Sequence, residues 1–330
     1  MRSSIVIALA NLAAAGLLLL GARQALRWYR TGRNPLAGFL SATCAALALP
    51  PCAWALVLLG LPLVYNRDAL HTALSDSLHY KRHYRATPRP HFVHVLTWSL
   101  RNQPLDVSFT RPAADLVGQR RPYRAQTTSH FLRARGCLAA TNASFFTPYY
   151  AQTPLTYYPH SGEPVSTMGR YGQAGRILGK PWSDAIAYLT PTGAHFRPPQ
   201  DGNQLLGVVE GRRYLVQHGQ AAEIPASDPA PRTALSMADQ RLQLVVVDGK
   251  LTGLTEGLTL QEMAALLIEL GADTAIELDG GGSSTLVLAN PQGKPQAANL
   301  LNHTRVPFRE RPVGTHLGFS CRGDRPASAQ

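Results

Sequence analysis

The sequence has few cysteines and few charged residues, and these shortages exclude several classes of protein. Its 330 residues include four cysteines, none with the spacing of a zinc site. Only 16% of the residues are charged and 45% are hydrophobic, so the chain can bury a sizeable core and disorder is not expected. Basic residues outnumber acidic ones by 32 to 20, and the resulting net charge of +12 favours anionic partners.

Nucleic acid is not the partner that we expect. The sequence contains no zinc-finger spacing, no aromatic RNA-binding signature and no basic recognition helix, and its arginines are scattered. Anionic lipid and anionic glycan are the other partners that the charge allows. The eleven histidines are dispersed, so no metal-ligand cluster is visible and we expect no obligatory metal or other cofactor.

Two apolar runs lie near the N-terminus. Residues 4–21 have the length of a membrane-spanning helix, whereas residues 36–65 are longer and contain three prolines. Arginines in the intervening loop would stay in the cytoplasm, and no cleavage site of a signal peptide follows the first run. The pattern predicts a two-helix transmembrane hairpin over residues 1–65, integral to a bacterial inner membrane, with the following domain in the periplasm or outside the cell.

Residues 66–90 are predicted to connect this membrane segment to a folded domain. Apolar residues in 66–80 recur at helical spacing, which indicates a short amphipathic helix. Residues 81–90 are basic, contain two prolines and indicate a linker.

Residues 91–322 form the predicted domain, and 323–330 a disordered tail. Strand-type runs recur through it, each bounded by turn residues, at residues 92–98, 105–109, 137–140, 185–189, 205–209, 214–217 and 242–247. Asp248 and Gly249 suit a hairpin turn after the last of these. A helix is predicted over 260–270, with Thr259 and Glu262 as a capping box, before a strand at 274–278. The fold class is therefore an α+β or mixed α/β domain rich in strands, preceded by the two-helix transmembrane hairpin.

The cysteines fall into two groups. Cys44 and Cys52 lie in the second apolar run, which leaves Cys137 and Cys321 in the domain. An oxidising compartment would allow these two to form a disulfide, and two separate buried thiols are the alternative.

The most informative segment for chemistry is residues 276–285. A strand ends on the carboxylate of Asp279, and three glycines, Gly280, Gly281 and Gly282, then allow backbone amides to approach a ligand closely. Ser283 follows with a hydroxyl group. This segment could hold an anionic group beside a fixed carboxylate, and a simple tight turn is the alternative interpretation.

Three further pieces carry residues suited to sugars and phosphates. Asn142 ends a small-residue strand, and its amide can donate and accept hydrogen bonds to sugar hydroxyls. Arg232 and Thr233 precede the strand run at 242, and Glu310 and Arg311 precede the last strand. Arginine binds phosphate bidentately. Taken singly, however, a capping asparagine and solvated arginines explain these residues equally well.

In this order, the four pieces resemble the phosphodiester glycosidase family over residues 91–319. The resemblance rests on Leu-Asp-Gly-Gly-Gly-Ser at 278–283, Pro-Arg-Thr at 231–233 and Arg-Pro-Val at 311–313. Two places depart from the family pattern: Ala143 and Ser144 stand where many members carry two glycines, and Arg212 stands where proline is common.

The resemblance implies hydrolysis of the bond between a sugar C1 and a phosphate oxygen, in an envelope or secreted glycan. Asp279 would act as nucleophile or as base for water. Arg232 and Arg311 would hold the phosphate together with the glycine amides and Ser283, and Asn142 would orient the sugar. Thr233 and Glu310 are further candidates for contact with the substrate.

Two other functions stay open at this point. One is a non-catalytic glycan-binding or assembly module of an exopolysaccharide system, and the other is a phosphodiesterase that cuts the bond between phosphorus and oxygen. Glu277 and Glu310 are candidates for a second carboxylate. Their distance from Asp279 would decide between retention and inversion, and the sequence leaves it open.

Overall fold

Strands dominate the part of the chain that the structure describes. The structure is a computed structural model, and it describes residues 2–30, 66–199, 204–251, 253–304 and 306–321. The described helices are α1 (Arg2–Arg30), α2 (Thr128–Arg135) and α3 (Leu260–Glu269), with 3-10 turns at Ala114–Leu116 and Gly281–Ser283. The chain divides into two units, Met1–Arg67 with Leu251–Leu254, and Asp68–Lys250 with Thr255–Gln330.

The described strands all lie in the second unit. In chain order they are β1 (Leu70–Ala73), β2 (Leu78–Arg85), β3 (His91–Ser99), β4 (Val107–Phe109), β5 (Tyr123–Arg124), β6 (Ala139–Asn142), β7 (Phe146–Thr147), β8 (Tyr150–Ala151), β9 (Tyr157–Tyr158), β10 (Pro164–Thr167), β11 (Tyr171–Gln173), β12 (Ile186–Thr190), β13 (Gly193–His195), β14 (Gly207–Glu210), β15 (Tyr214–Gln217), β16 (Gln220–Ala221), β17 (Arg232–Ala238), β18 (Arg241–Val247), β19 (Thr274–Glu277), β20 (Leu286–Ala289), β21 (Pro295–Ala297), β22 (Asn302–His303), β23 (Val306–Pro307) and β24 (His316–Phe319).

These strands form two large sheets and several small ones. The larger has eight strands in the order β1-β2-β3-β18-β17-β19-β15-β16, and the second has five in the order β21-β20-β6-β24-β4. Smaller sheets have the orders β11-β14-β12-β13, β5-β10-β7, β22-β23 and β8-β9. All pairings between the described strands are antiparallel.

The centre of the eight-stranded sheet is buried on both faces. Alternate residues of β18 point to opposite sides, so Leu244 and Val246 join one hydrophobic cluster while Val245 and Val247 join another. Helix α3 covers the second face with Met263 and its apolar neighbours. This double burial explains why β18 is a nearly continuous apolar run rather than an alternating one.

Helix α3 begins and ends as its local sequence predicts. The Thr259 side chain accepts a hydrogen bond from the Glu262 backbone N–H at 3.1 Å, and the Glu262 carboxylate accepts one from the Thr259 backbone N–H at 2.8 Å. The capping-box prediction is confirmed. The β-α-β pattern takes an unpredicted form, however, because β17 lies between β18 and β19 and is antiparallel to both.

The predicted transmembrane hairpin is wrong. Among the residues that the structure describes, no helix is both long and apolar enough to cross a bilayer. Arg23, Arg27 and Arg30, which were expected to form the loop of the hairpin, instead lie within α1. Alanine, leucine and arginine are all strong helix formers, so nothing in this stretch ends the helix where the loop was predicted. The second predicted span, residues 36–65, lies outside the described residues.

The amphipathic helix predicted at residues 66–80 is also replaced by strands. Ser75 makes the turn between β1 and β2, because its hydroxyl accepts a hydrogen bond from the Leu78 backbone N–H at 3.1 Å. Strand β2 then pairs with β3 along its whole length, through residues that were predicted to be a basic linker. Leu78 and Tyr80 are buried while Lys81 is exposed, which is the alternation of an edge-proximal strand.

The two domain cysteines form a disulfide. Cys137 precedes β6 and Cys321 follows β24, and these neighbouring strands bring the two Cα atoms to 3.8 Å. Gly318 permits the bond, since a Cβ on this residue would lie 2.6 Å from the Cys137 sulfur. Cys44, Cys52 and the predicted tail at 323–330 lie outside the described residues.

Candidate active site

Asp279 lies two residues after the end of β19, where two other segments fix its backbone. Its N–H donates to the Ala143 carbonyl at 3.0 Å, and its own carbonyl accepts a hydrogen bond from the Asn142 side-chain amide at 2.5 Å. The preceding residue, Leu278, donates its N–H to the Thr233 carbonyl at 2.9 Å. The carboxylate is therefore carried by a backbone that β6 and β17 hold in place.

Residues 280–283 form a tight turn, the glycine turn, in which Gly281–Ser283 is the 3-10 part and Gly280 precedes it. Gly281 adopts a positive φ of 61° and donates its N–H to the Pro231 carbonyl at 2.8 Å. A Cβ on Gly282 would lie 2.3 Å from Nη2 of Arg311 and 2.8 Å from the carbonyl oxygen of Asn302. Glycine at 282 is thus what lets the Arg311 guanidinium approach the turn.

Arg311 connects this turn to a buried histidine and an aromatic ring. Its Nη1 donates to the Ser283 hydroxyl at 3.1 Å and its Nε donates to Nδ1 of His303 at 3.1 Å. The guanidinium carbon lies 4.3 Å from the centre of the Tyr149 ring. Burial lowers the pKa of Arg311, although nearby Asp279 acts in the opposite direction.

Asp279 has the electrostatics expected of a reactive carboxylate. Burial raises its pKa to about 6, although the Ser283 hydroxyl hydrogen-bonds to it and the Arg311 charge favours ionisation. Its surroundings are dense, yet part of the residue is still reached by solvent. Ser283 therefore links the two charged groups, since its hydroxyl accepts from Arg311 and hydrogen-bonds to Asp279.

Asn142 and Thr233 lie behind Asp279 rather than at the surface. Asn142 is fully buried, and its side-chain oxygen accepts hydrogen bonds from the Thr233 hydroxyl at 3.3 Å and the Thr285 N–H at 3.0 Å. The Thr233 hydroxyl also contacts that of Ser284 at 3.1 Å. These contacts tie β6, β17 and the glycine turn together, which favours a positioning role for Asn142 and Thr233.

Arg232 is engaged with Glu277. Its Nη1 lies 3.6 Å from the Glu277 carboxylate, while Nε and Nη2 donate to the carbonyls of Leu258 and Asp228 at 3.0 and 2.7 Å. Burial raises the pKa of Glu277, and the adjacent arginines, Arg213 at 3.0 Å foremost, counteract this. Burial likewise lowers the pKa of Arg232. Glu277 is near enough to Asp279 to raise the pKa of that carboxyl.

Glu310 contacts a different part of the fold from its neighbour Arg311. Its carboxylate accepts a hydrogen bond from the Ser129 backbone N–H at 2.9 Å, in the first turn of α2. Burial raises the pKa of Glu310, while hydrogen bonds with Ser129 and Thr128 lower it. The carboxylate thus binds an N-terminal amide of α2.

Lys250 and His303 are site residues that the sequence did not indicate. Lys250 follows β18, and its Nζ lies 3.7 Å from where a Cβ on Gly281 would be. Burial, followed by the charges of Arg311 and Arg309, lowers the pKa of His303 to about 4, so the imidazole is neutral at pH 7 and can accept from Arg311. The glycine turn therefore has two cations beside it, Arg311 and Lys250.

A buried network supports the turn from behind. One oxygen of Asp248 accepts hydrogen bonds from the Leu300 N–H at 3.0 Å and the Asn299 amide at 3.1 Å, and the other lies 3.0 Å from Nε2 of His94. The Asn299 amide also donates to the Ser284 carbonyl at 3.1 Å. The interpretation of this Asp-Gly pair as a hairpin turn is wrong, because the strands beside β18 are β3 and β17, and both precede the pair in the chain.

The structure thus separates the predicted residues into three groups. The first group lies at the glycine turn and consists of Asp279, the three glycines, Ser283 and Arg311. The second group supports the first and consists of Asn142 and Thr233. The third group binds other partners and consists of Arg232 and Glu310. Within the described part of the chain, no three His, Cys, Asp or Glu side chains are placed to hold a metal.

A solved structure shares this fold, and two others are similar to a lesser degree. The catalytic domain of zebrafish N-acetylglucosamine-1-phosphodiester α-N-acetylglucosaminidase, auto-inhibited by its pro-peptide, is 18% identical with a TM-score of 0.50, over 76% of this chain and 87% of that one. A hypothetical protein from Synechocystis is 15% identical (TM-score 0.46, 77% and 64% covered). A Burkholderia pseudomallei protein described as exported is 17% identical (TM-score 0.45, 70% and 74% covered).

No curated protein matches the sequence. The family model described as phosphodiester glycosidase, in contrast, matches residues 135–320, which is more than half of the 330 residues. This range includes the glycine turn, Asp279 and Arg311. The chain therefore belongs to the phosphodiester glycosidase family and is a glycosidase that acts on sugar phosphodiesters.

Proposed function

We propose that the enzyme hydrolyses the bond between a sugar C1 and a phosphate oxygen, with Asp279 acting at C1. The observation that carries this proposal is the arrangement of Asp279, Ser283 and Arg311 around one glycine turn. A carboxylate stabilises positive charge that develops at C1, and a guanidinium stabilises negative charge on a departing phosphate. Asp279 supplies the carboxylate and Arg311 supplies the guanidinium, and the Ser283 hydroxyl hydrogen-bonds to both groups.

The phosphate would lie over the glycine turn between Arg311 and Lys250. Nη2 of Arg311 has no hydrogen-bond partner among the described residues, so it can donate to a phosphate oxygen while Nη1 and Nε stay bound to Ser283 and His303. Lys250 is exposed beside the same turn, near Gly281. Arg232, by contrast, is tied to Glu277 and backbone carbonyls, and its contribution is to keep Glu277 and the end of β19 in place.

The chemical step needs little acid catalysis, because phosphate is a weak base and leaves with the electron pair of the C1–O bond. The oxygen of water forms the new bond to C1, and Asp279 accepts its proton. The alternative, in which Asp279 itself bonds to C1 before water displaces it, uses the same residues. Both routes require an ionised Asp279, and its pKa of about 6 allows this at neutral pH.

We also propose that the domain works outside the cytoplasm, on an envelope or secreted glycan. The support is the disulfide between Cys137 and Cys321, because such bonds persist in oxidising compartments and are rare in reducing ones. A glycan bearing phosphodiesters also suits the net charge of +12.

The test uses the full chain and an N-acetylglucosamine-1-phosphodiester, in water labelled with oxygen-18. Cleavage at C1 places the label in the released sugar, whereas a phosphodiesterase would place it in the phosphate and overturn the proposal. Asp279→Asn should lower kcat by about 100-fold or more. The control is Asp273→Asn, at an exposed carboxylate before the other end of β19, and it should keep the parental rate.

A further inference from the structure

An open depression lies beside the segment that carries Phe145, and none of its lining residues has a role in the proposed reaction. It has a volume of about 660 Å³, and its lining includes Arg120, Lys180 and Trp182 together with the hydroxyl residues Ser166 and Thr167. None of its lining residues is acidic. The depression therefore combines an aromatic ring, hydroxyl groups and uncompensated positive charge.

Both cations in the depression are available to a ligand. Arg120 and Lys180 are exposed, and neither forms a hydrogen bond or ion pair with any residue that the structure describes. Arg124, nearby in sequence, is instead paired with Asp115. Exposed cations without partners keep their full attraction for an anionic ligand, since no carboxylate competes for them.

Trp182 is exposed on a backbone that is held rigidly. The fully buried carboxylate of Glu210 accepts hydrogen bonds from the N–H groups of Trp182 and Ser183, both at 2.6 Å, and also pairs with Arg170 at 3.1 Å. The indole ring packs against Phe145, with 5.5 Å between ring centres, yet 39% of Trp182 remains exposed. A large aromatic surface on a fixed backbone loses little entropy when a ligand covers it.

The depression is continuous with the segment that supports Asp279. Met168 lines it and donates its N–H to the Phe145 carbonyl at 2.7 Å. Two residues before Phe145, the Ala143 carbonyl accepts the N–H of Asp279. The short segment from Ala143 to Phe145 is thus hydrogen-bonded both to the backbone of the reacting residue and to the lining of the depression.

We propose that this depression is a second binding site, for an anionic unit of a glycan chain. Trp182 would stack on the apolar face of a sugar ring, and Arg120 and Lys180 would bind its carboxylate or phosphate groups. The inference rests on the proposed function, because it makes the substrate a polyanionic glycan whose cleaved phosphodiester lies at Asp279 while another unit occupies the depression.

Binding is measured on the full chain with Asp279→Asn, so that turnover does not interfere. The probes are an oligogalacturonate, a poly(ribitol phosphate) oligomer and a neutral dextran oligomer of similar length, with duplex DNA as a fourth arm. Trp182→Ala and the double variant Arg120→Gln/Lys180→Gln should each weaken binding of an anionic glycan by about 10-fold. Lys294→Gln, which removes an exposed charge elsewhere, is the matched control.

The two anionic glycan arms identify whether carboxylate or phosphodiester groups are preferred, and tighter binding of either than of dextran supports the site. Equal binding of dextran, tighter binding of DNA than of both glycans, or unchanged affinity in both variants would overturn it. In the active chain, the double variant should raise KM for the long substrate and leave a small glycosyl phosphodiester unaffected. Because the binding assay needs no turnover, its result stands even if the proposed cleavage fails.

Discussion

Replacing Gly282 with alanine should disable the active site without changing a charged group. The new Cβ would lie 2.3 Å from Nη2 of Arg311, 2.8 Å from its Cζ and 2.8 Å from the Asn302 carbonyl oxygen. All three distances are below the sum of the van der Waals radii, so the guanidinium or the turn must move. The easier movement is that of Arg311, because the turn is bound to Pro231 and the carbonyl belongs to the backbone.

The cost follows from the contacts that Arg311 would lose. Its hydrogen bonds to Ser283 and His303 hold the guanidinium beside Asp279, and a bond from a charged donor contributes about 1.5–3 kcal/mol. Loss of one such bond, or a displacement of about 1 Å, corresponds to roughly 100-fold in rate. We therefore expect kcat/KM for a glycosyl phosphodiester to fall by about 100-fold in Gly282→Ala.

Gly280→Ala is the matched control. Gly280 has φ of −116° and ψ of −158°, which alanine can adopt, and its Cβ would meet the Pro231 carbonyl oxygen at 3.2 Å and keep 3.9 Å from the Arg232 Cα. Its amide is unchanged, so kcat/KM should fall by less than about 10-fold. Equal losses in the two variants, with both folded by circular dichroism, would show that the Arg311 contact is not the cause.

Three other outcomes are expected. Asp279, with a pKa raised to about 6, binds its proton more tightly in the folded than in the unfolded chain, so its contribution to stability falls as pH rises from about 4 to about 6. The thermal midpoint of Asp279→Asn should lack this pH dependence, and kcat/KM of the parent should rise through pH 6. Arg232→Ala should lower the free energy of unfolding by about 1–3 kcal/mol, because Glu277 loses a partner. The kcat per folded molecule should change by less than about 10-fold. Loss of activity at unchanged stability would instead indicate that Arg232 binds the phosphate directly. Cys137→Ser with Cys321→Ser should cost about 2–5 kcal/mol in denaturant titrations, and a parent insensitive to reductant would contradict this.

The assays need the chain from β1 onwards, although the sequence predicted a domain that begins only at residue 91. Strand β2 pairs with β3 from Leu78 to Arg85. Its removal would expose the edge of β3 and would take away the buried side chain of Tyr80, whose hydroxyl lies 2.8 Å from Nδ1 of His94. In an activity assay of such a truncated protein, loss of folding could not be distinguished from loss of catalysis.

The sequence predicted the elements whose structure depends on residues that are adjacent in the chain. Helix α3 follows from Thr259 and Glu262, which cap it regardless of what packs against it. The apolar run of β18 indicates a strand buried on both faces for a similar reason. Strand β2 depends instead on hydrogen bonds to β3, and β1 depends on hydrogen bonds to β2. Spacing compatible with a helix did not reveal these pairings.

The site was predicted only in part, because its members come together through tertiary contacts. The Gly-Gly-Gly sequence points to a close backbone approach, and Arg311 is the group that approaches. Nothing local marks Lys250 or His303, which lie far from Asp279 in sequence. Arg232 and Asp279 are on adjacent strand ends, yet the antiparallel pairing of β17 with β19 places Glu277 within reach of the guanidinium.

The position of β6 in the middle of its sheet also affects the order in which strand pairs can form during synthesis. Thr141 at its centre pairs with Leu286 on one side and Leu317 on the other, so both neighbours of this strand are synthesised long after it. Until they emerge, an apolar strand has two open edges that can pair with other chains. The strand that Asn142 ends can therefore complete its pairing only after β24 has been synthesised, and the Cys137–Cys321 bond, which spans 184 residues, must wait for the same part of the chain.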